Sequence, residues 1–412
     1  MNVNVTINPD FAASVTLPPS KSIANRELLI NAQCTTHNSQ FSILNSQLCD
    51  DILMMQRGLA AHDGGTIDVD GAGTALRFLT AYWATRQGCT ITITGNPRLC
   101  ERPIAPLVDA LRQLGADIDY LCQPGHAPLR IMGRQLHGGH LTMRGDVSSQ
   151  FVSALLMIAP AIGGLELELT GDIVSWPYID MTIALMERHG VKVVENEGTF
   201  IVPADRYLPA PLCDEGDWSA AAFWLALQAL LPGARITLNR LLPDSLQGDR
   251  RILTLMEQMG MVPHWHDDGL LTMDMSRADC CCCSTFADLS GTPDLAPVLV
   301  VMLCLLGRPF RITGLRTLRH KESDRLEALR TELRKLGYLL TIEGDDAVSW
   351  HFATCPPQER PVIDPHGDHR IAMAMALAAV RHPGLAIDNS QVVTKSYPSF
   401  WQQLFQKSPP NQ

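Results

Sequence analysis

One pattern recurs along this chain: an amphipathic helical stretch, a glycine stop, then a short β-branched strand. It occurs at residues 107–114 with Gly115, 181–189 with Gly190, 252–259 with Gly260 and 326–336 with Gly337. The glycines follow one another at 75, 70 and 77 residues. Such self-similarity means repeated supersecondary units, each too small to bury its own apolar face. An earlier copy is expected at residues 51–57 with Gly58, only 57 residues before Gly115. The first unit is therefore expected to be short by about 15–20 residues, a strand and its turn. Strand signals such as residues 90–94 and 235–238 alternate with the helices. Helices alternating with strands, in repeats, predict an α/β fold with two similar lobes. The Pro-rich polar segment 203–216 precedes an apolar helix at 218–231 and reads as the crossing between lobes. A ligand cleft is expected between them.

A chain of 412 residues is long enough for about two domains with full cores. Its 46% hydrophobic and 18% charged content is that of an ordinary globular protein. The longest apolar stretches, such as 371–380, are core-helix length, so no membrane association is expected. Met1-Asn2-Val3-Asn4-Val5 lacks the charged and apolar regions of a signal peptide, which points to the cytoplasm. A net charge of −10 argues against nucleic acid as a partner, so any anion must be held by locally gathered Lys and Arg. The twelve cysteines read as reduced thiols. The run Cys280-Cys281-Cys282-Cys283 has no second pair at metal-ligand spacing and reads as small strand hydrophobes.

Local cation gathering starts at Pro18-Pro19-Ser20-Lys21-Ser22-Ile23-Ala24-Asn25-Arg26. Two hydroxyls flank a lysine at a helix start, where free N–H groups and the positive dipole end favour phosphate or carboxylate. In Asp70-Gly71-Ala72-Gly73-Thr74-Ala75-Leu76-Arg77 the glycines permit close backbone approach and Thr74 is a candidate cap; an ordinary tight turn fits equally. Glu101-Arg102-Pro103-Ile104 opens the next helix, with Pro103 at a first helical position, though Arg102 could equally be a solvated arginine. Ser148 and Ser149 are caps or a neutral anion cradle, with Gln150 as a two-way hydrogen-bonding head. Ser175 and Tyr178 repeat that theme.

Arg319-His320-Lys321-Glu322-Ser323-Asp324-Arg325 precedes the apolar series Leu326, Leu329, Leu333 and Leu336. Ser323 as N-cap and Asp324 in the first turn suit a helix start, but cations there oppose the dipole. An anionic ligand explains them; a solvated charge run is the alternative. Gly367-Asp368-His369-Arg370 places another arginine at the positive end of a buried helix. Lys395 follows a strand, and Asp294 starts a helix whose dipole it would complement.

Together these motifs resemble the 3-phosphoshikimate 1-carboxyvinyltransferase (EPSP synthase) family, in the family's order from Ser20 to Lys395. The resemblance implies two lobes of three βαβαββ units each, of the inside-out α/β barrel type. It puts the N-terminal lobe at residues 21–215 and the C-terminal lobe at 1–20 with 216–412, with the active site in the cleft. It implies transfer of the enolpyruvyl group of phosphoenolpyruvate to the 5-hydroxyl of shikimate 3-phosphate, with release of phosphate. Lys21, Gly73, Arg102, Gln150, Arg325, Arg370 and Lys395 match the family's phosphoenolpyruvate contacts. Lys21, Ser22, Arg26, Ser148, Ser149, Gln150, Ser175, Tyr178, Asp294 and Lys321 match its shikimate 3-phosphate contacts. Glu322 matches the proton donor to the methylene carbon, Asp294 the acceptor of the hydroxyl proton, and Lys21 a proton relay. The resemblance implies no metal or organic cofactor, and a monomer.

Three positions depart from the family pattern: Gly71 and Thr317 each stand where asparagine is usual, and Trp176 where a basic residue is usual. Two rival readings follow. The UDP-N-acetylglucosamine enolpyruvyl transferases share fold and donor and use a cysteine in a lobe-one loop, and Cys100 lies just before Glu101 and Arg102. A non-catalytic phosphate-ligand-binding relative, altered at Gly71, Thr317 and the first unit, is the other.

Overall fold

Gly115, Gly190, Gly260 and Gly337 occupy one equivalent place in four structural copies. Each has φ between +87° and +100° and closes the helix ahead of a sheet's antiparallel strand pair. The computed structural model describes residues 2–34, 48–146, 148–266, 270–274 and 284–406. The cysteine run 280–283 lies outside the described residues, whereas the interval from Gly58 to Gly115, where the first unit is expected to be short, lies within them. The chain divides into two compact units, residues 21–213 and residues 1–20 with 214–412.

The chain opens with strands β1 (Val3–Asn4) and β2 (Ala12–Thr16), which belong to the second of these units. The unit 21–213 begins with helices α1 (Lys21–Asn31) and α2 (Asp50–Leu59). One full copy follows: β3 (Thr66–Asp68), α3 (Gly73–Ala84), β4 (Thr90–Thr94), the single turn α4 (Pro97–Cys100), α5 (Ala105–Gln113), β5 (Asp117–Tyr120) and β6 (Leu129–Met132). The next is β7 (Gly139–Arg144), α6 (Ser149–Ile158), β8 (Leu165–Thr170), α7 (Trp176–Arg188), β9 (Val194–Asn196) and β10 (Thr199–Val202). The sheets run β3-β4-β6-β5 and β7-β8-β10-β9. In each the first two strands are parallel, as a helical crossover requires, and the last two form a hairpin.

The other unit repeats the plan. Strand β2 pairs in parallel with β11 (Arg235–Asn239), across which α8 (Trp218–Leu230) packs; α9 (Ile252–Gln258), β12 (Val262–His266) and β13 (Leu270–Asp274) complete the copy. Next come β14 (Thr285–Asp288), α10 (Ala296–Leu305), β15 (Phe310–Thr313), α11 (Arg325–Lys335), β16 (Thr341–Glu343) and β17 (Ala347–Trp350). A last sheet joins β18 (Val362–Ile363), α12 (His369–Ala376) and β19 (Ala386–Ile387), closed by antiparallel β1; α13 (Phe400–Leu404) ends the described chain.

Strand periodicity sets which face is apolar. In β8, Leu165, Leu167 and Leu169 are buried while Glu166 and Thr170 are exposed. The helices against those inner faces are central, and α6, α8 and α10 are apolar on nearly every side. What they leave uncovered is informative. Every residue of α10 and α12 is buried. In α3 only Thr74 is not, in α6 only Gln150, in α8 only Ser219, and in α1 only Lys21 and Ser22. The central helices thus meet water only at their first turn.

Several local expectations change. Gly58 is not a repeat stop: it lies inside α2, where an added Cβ would run into Leu79 of α3, and its carbonyl accepts from Trp83 Nε1 at 3.0 Å. It is a close-packing glycine, and only residues 60–65 join α2 to β3, without the strand pair that follows each stop glycine, as a shortened first unit requires. Pro103 precedes α5 by two residues, and Pro106 takes the first-turn place. Thr74 is inside α3, whose capping position is Ala72. Asp324, not Ser323, caps α11 through the N–H of Glu327. Lys395 ends a 3-10 turn, Ser390–Lys395, that follows β19.

Candidate active site

The first turns of these helices, and the residues just before them, carry most of the expected site residues in both units. In unit 21–213, Lys21 opens α1 and its Nζ lies 3.0 Å from Asp51 Oδ2 on α2. Ser148 caps α6 by accepting from the Gln150 N–H at 3.3 Å, and Ser149 begins that helix. Gln150 Nε2 donates to Thr74 Oγ1 at 3.0 Å, which joins the first turns of α6 and α3. The Gly73 carbonyl accepts from Arg77 Nη1 at 2.8 Å. A Cβ on Gly73 would lie 2.7 Å from Arg77 Nη1 and 2.9 Å from Arg102 Nη1, so two guanidinium groups close over a position that only glycine leaves open. Arg102 Nε and Gln150 Oε1 are buried without a protein hydrogen bond. Unspent polar atoms beside a cation suit an anionic ligand.

Ser175 precedes α7 with φ +56°, an uncommon backbone for a residue with a side chain and of the kind that collects at functional sites. Its carbonyl accepts from the Tyr178 N–H at 3.1 Å. Arg26 lies beneath this stretch. It is 2% exposed, and its guanidinium donates to Thr182 Oγ1, Ser153 Oγ and the carbonyls of Ser22 and Tyr178. Burial pulls it down to about 10, against the Tyr178 charge, which acts upward. Arg26 clamps α1 to α6 and α7 and holds the backbone at Ser22.

The other unit gathers four first turns around Arg325, the first residue of α11. Its Nη1 lies 2.7 Å from Asp294 Oδ1, its Nη2 2.9 Å from Glu322 Oε2, and its Nε 2.7 Å from Asp368 Oδ2. Lys321 Nζ is 3.2 Å from Asp294 Oδ1, and Lys395 Nζ is 3.3 Å from Glu322 Oε1. Arg370 Nη2 lies 3.4 Å from Asp294 Oδ2 and donates to Ser219 Oγ at 3.0 Å; its Nη1 donates to the Asp294 carbonyl at 3.1 Å. Ser219 in turn donates to the buried carboxylate of Asp249. Ser323 spends its hydroxyl on Asp368, which is why it does not cap α11. Arg319 turns away to Asp324 and the Gly344 carbonyl.

Electrostatics follow from this packing. Burial would raise Asp294, but Lys321, Arg370 and Arg325 together hold it well below the usual carboxylate range. Burial would lower Arg325, and Asp368, Glu322 and Asp294 outweigh it and push the guanidinium up. Asp249 is pushed up to about 6, chiefly by burial, against the pull of Arg370 and the Ser219 hydrogen bond. The cations are thus not idle: they are held by the two carboxyl groups expected to move protons. Anionic ligands would exchange those contacts, so binding and the basicity of Asp294 are coupled.

The structure brings Asp294, Lys321, Glu322, Arg325, Arg370 and Lys395 into one network. It groups Gly73, Arg102 and Gln150 with Thr74 and Arg77 in the other unit. Ser219, Asp249 and Asp368 join the first network and Asp51 pairs with Lys21, none of them expected as site residues. Ser219, the lone uncovered residue of an apolar helix, carried the clearest sequence signal among them.

Three comparisons bear on this geometry. The sequence model of one family, EPSP synthase (3-phosphoshikimate 1-carboxyvinyltransferase), matches residues 60–404. A 3-phosphoshikimate 1-carboxyvinyltransferase of Bacteroides fragilis (strain YCH46) is 43% identical over 394 residues, covering 95% of this chain and 94% of that protein. One of Shewanella halifaxensis is 35% identical over 424 residues, covering 95% and 96%. In fold, the chain is similar to a solved EPSP synthase from Acinetobacter baumannii, with TM-score 0.73, 20% identity and coverage of 98% and 97%.

Proposed function

The chain belongs to the EPSP synthase family, and from that premise we propose that it transfers the enolpyruvyl group of phosphoenolpyruvate to the 5-hydroxyl of shikimate 3-phosphate, releasing phosphate. One observation carries the assignment of roles: Asp294 and Glu322 share a single buried guanidinium, Arg325, inside a ring of Lys321, Arg370 and Lys395. Each substrate brings a phosphate and a carboxylate, about five to six negative charges in all. Lys21, Gly73, Arg102, Gln150, Arg325, Arg370 and Lys395 receive phosphoenolpyruvate. Lys21, Ser22, Ser148, Ser149, Gln150, Ser175, Tyr178, Asp294 and Lys321 receive shikimate 3-phosphate, with Arg26 supporting Ser22 from behind. The two units are the two lobes of the enzyme, and the reaction needs both sets of cations.

Arriving anions draw Lys321, Arg325 and Arg370 away from Asp294, whose oxygen then regains the basicity those cations suppress. Asp294 takes the 5-hydroxyl proton as that oxygen attacks C2 of the enol, while Glu322 delivers a proton to C3. The tetrahedral adduct then loses the C3 proton to Glu322 and the C2–O bond to phosphate, with Lys21 relaying a proton to the leaving group. Two carboxyl groups in different surroundings can divide acid and base work in this way. Both Glu322 oxygens are occupied by cations here, so its donor role requires Lys395 or Arg325 to turn to the ligand first.

The same reading has the protein acting as a cytoplasmic monomer without metal or cofactor. No helix among the described residues is long and apolar enough to cross a membrane. A coupled assay of phosphate release from phosphoenolpyruvate with shikimate 3-phosphate tests the function. Asp294→Asn and Glu322→Gln should each lower kcat by about 100-fold or more. Turnover with UDP-N-acetylglucosamine instead, or ligand binding without phosphate release, would refute it.

A further inference from the structure

Seven residues beyond Arg325 on α11, two helical turns behind the site and on the same face, stands a carboxylate no ligand reaches. Glu332 is fully buried. Its Oε2 accepts the Asp364 N–H at 3.0 Å and lies 2.6 Å from Lys335 Nζ. Its Oε1 lies 3.0 Å from His366 Nε2. Asp364 and His366 belong to the short turn that delivers Asp368 and Arg370 to the network, so α11 grips this stretch twice. It does so at the site through Arg325 and Asp368, and behind it through Glu332 and His366.

The turn is held in an unfavourable backbone. His366 has φ +53° and Gly367 φ +70°, two left-handed residues in succession, the first with a full side chain. Local bonds shape the turn: Asp364 Oδ1 accepts the His366 N–H at 2.7 Å, and the Pro365 carbonyl accepts the Asp368 N–H at 2.9 Å. Such a conformation persists only where surrounding contacts over-determine it, and here the further contact is the imidazole on Glu332. His366 is itself partly exposed, so its ring is not trapped by packing alone.

We propose that Glu332 and His366 form a positioning pair that fixes the turn before α12 and so sets Asp368 and Arg370 for phosphoenolpyruvate. Neither touches substrate. The inference rests on the enolpyruvyl-transfer reading, because that reading assigns Arg370 to phosphoenolpyruvate rather than to shikimate 3-phosphate. The pair should therefore act on one substrate selectively.

Three variants test it. His366→Gly removes the imidazole while admitting the left-handed backbone freely, so the fold is spared. Glu332→Gln keeps an acceptor for the Asp364 N–H and removes the charge. His366→Gln retains a donor able to reach Glu332. We expect the first two to raise KM for phosphoenolpyruvate at least fivefold, with KM for shikimate 3-phosphate within twofold and kcat falling less. His366→Gln should return KM to within twofold of wild type. An unchanged phosphoenolpyruvate KM in His366→Gly, or an equal rise for both substrates, overturns the proposal, and that variant decides alone if Glu332→Gln does not fold. Wild-type phosphate release tests the functional reading separately. Should it be absent, calorimetric affinity for phosphoenolpyruvate in wild type and His366→Gly still decides, with unchanged affinity refuting the pair.

Discussion

Gly73 shows how a single missing carbon can decide affinity without deciding the fold. An alanine there would press on Arg77 Nη1 and Arg102 Nη1, both ends of flexible side chains, so they give way rather than the helix. As the first residue of α3, position 73 gains at most part of the roughly 1 kcal/mol by which alanine favours a helix interior. Gly73→Ala should thus leave the melting temperature unchanged or higher while raising KM for phosphoenolpyruvate roughly tenfold, about 1.4 kcal/mol of binding. Thermal melts beside steady-state kinetics separate the two effects. Asp249 offers the opposite case, a residue whose burial governs pH dependence. Its carboxyl is pushed up to about 6 from an ordinary value near 4, so the folded state holds a proton that the unfolded chain has lost. Stability from this group is complete below about pH 4 and declines as pH rises to about 6, by about 3 kcal/mol. Asp249→Asn should lack that decline, and denaturant titrations at pH 4 and pH 7 would show its stability gaining on wild type at the higher pH. Motif residues such as Lys21, Arg325 and Arg370 were legible because cations at a helix start demand a reason. Asp51 and Asp249 were not, since their roles come from partners distant in sequence: each meets its partner, Lys21 or Ser219, 30 residues away. The burial of Arg26 was hidden for the same cause, since only its contact with Thr182, 156 residues on, reveals it.

Helix ends were the most legible elements, and the reason is stereochemical. A helix followed by glycine in the left-handed region is a local signal, and it marked four equivalent positions at Gly115, Gly190, Gly260 and Gly337. Gly58 looked the same in sequence, but its reason for being glycine is the approach of Leu79, which no local pattern reports. Helix starts were less legible. Ser323 and Asp324 are both good caps, and the choice fell to Asp324 because Asp368, 45 residues away from Ser323, claims the serine hydroxyl. The stop glycines also differ among themselves in a measurable way. At Gly115 an added Cβ meets nothing within 4 Å, whereas at Gly337 it would lie 3.0 Å from the Cys355 carbonyl oxygen. Gly115→Ala should cost about 1–2 kcal/mol from its backbone conformation alone. Gly337→Ala should cost more, since the crowding atom is backbone, held in place by the Cys355 N–H donating to the Gly337 carbonyl at 3.0 Å, and cannot swing away as a side chain would. Chemical denaturation of the two variants checks the order, and equal losses would show that the left-handed backbone is the whole effect.

At the scale of the whole chain, the unit 21–213 is an insertion within a single structural copy, between β2 and the helix α8 that belongs with it. The two segments flanking the insertion are bonded to each other: Ser20 N–H donates to the Glu215 carbonyl at 2.9 Å, and Asp217 N–H to the Pro18 carbonyl at 2.9 Å. Arg240 secures both, with its Nη1 donating to the Leu17 carbonyl at 3.0 Å and its guanidinium paired with Asp214. The repeats hinted at two lobes, but the return of residues 3–4 to pair with 386–387 could not be read locally, because nothing near either strand names its partner. Each unit has its own apolar core, the inserted one built from Ile23 to Tyr207 and the other from Val5 to Leu404. A segment with a closed core and adjacent ends should fold by itself. Residues 21–213 expressed alone are therefore expected to give a cooperative thermal transition by circular dichroism. Residues 214–412 alone should not, because they lack β1 and β2 and leave two sheets with unpaired edges. Supplying residues 1–20 as a peptide should restore the transition in that fragment. Neither fragment carries the full set of proposed cations, so neither should release phosphate by itself. A cooperative melt from 214–412 without the peptide would mean that β1 and β2 are dispensable to the core they complete.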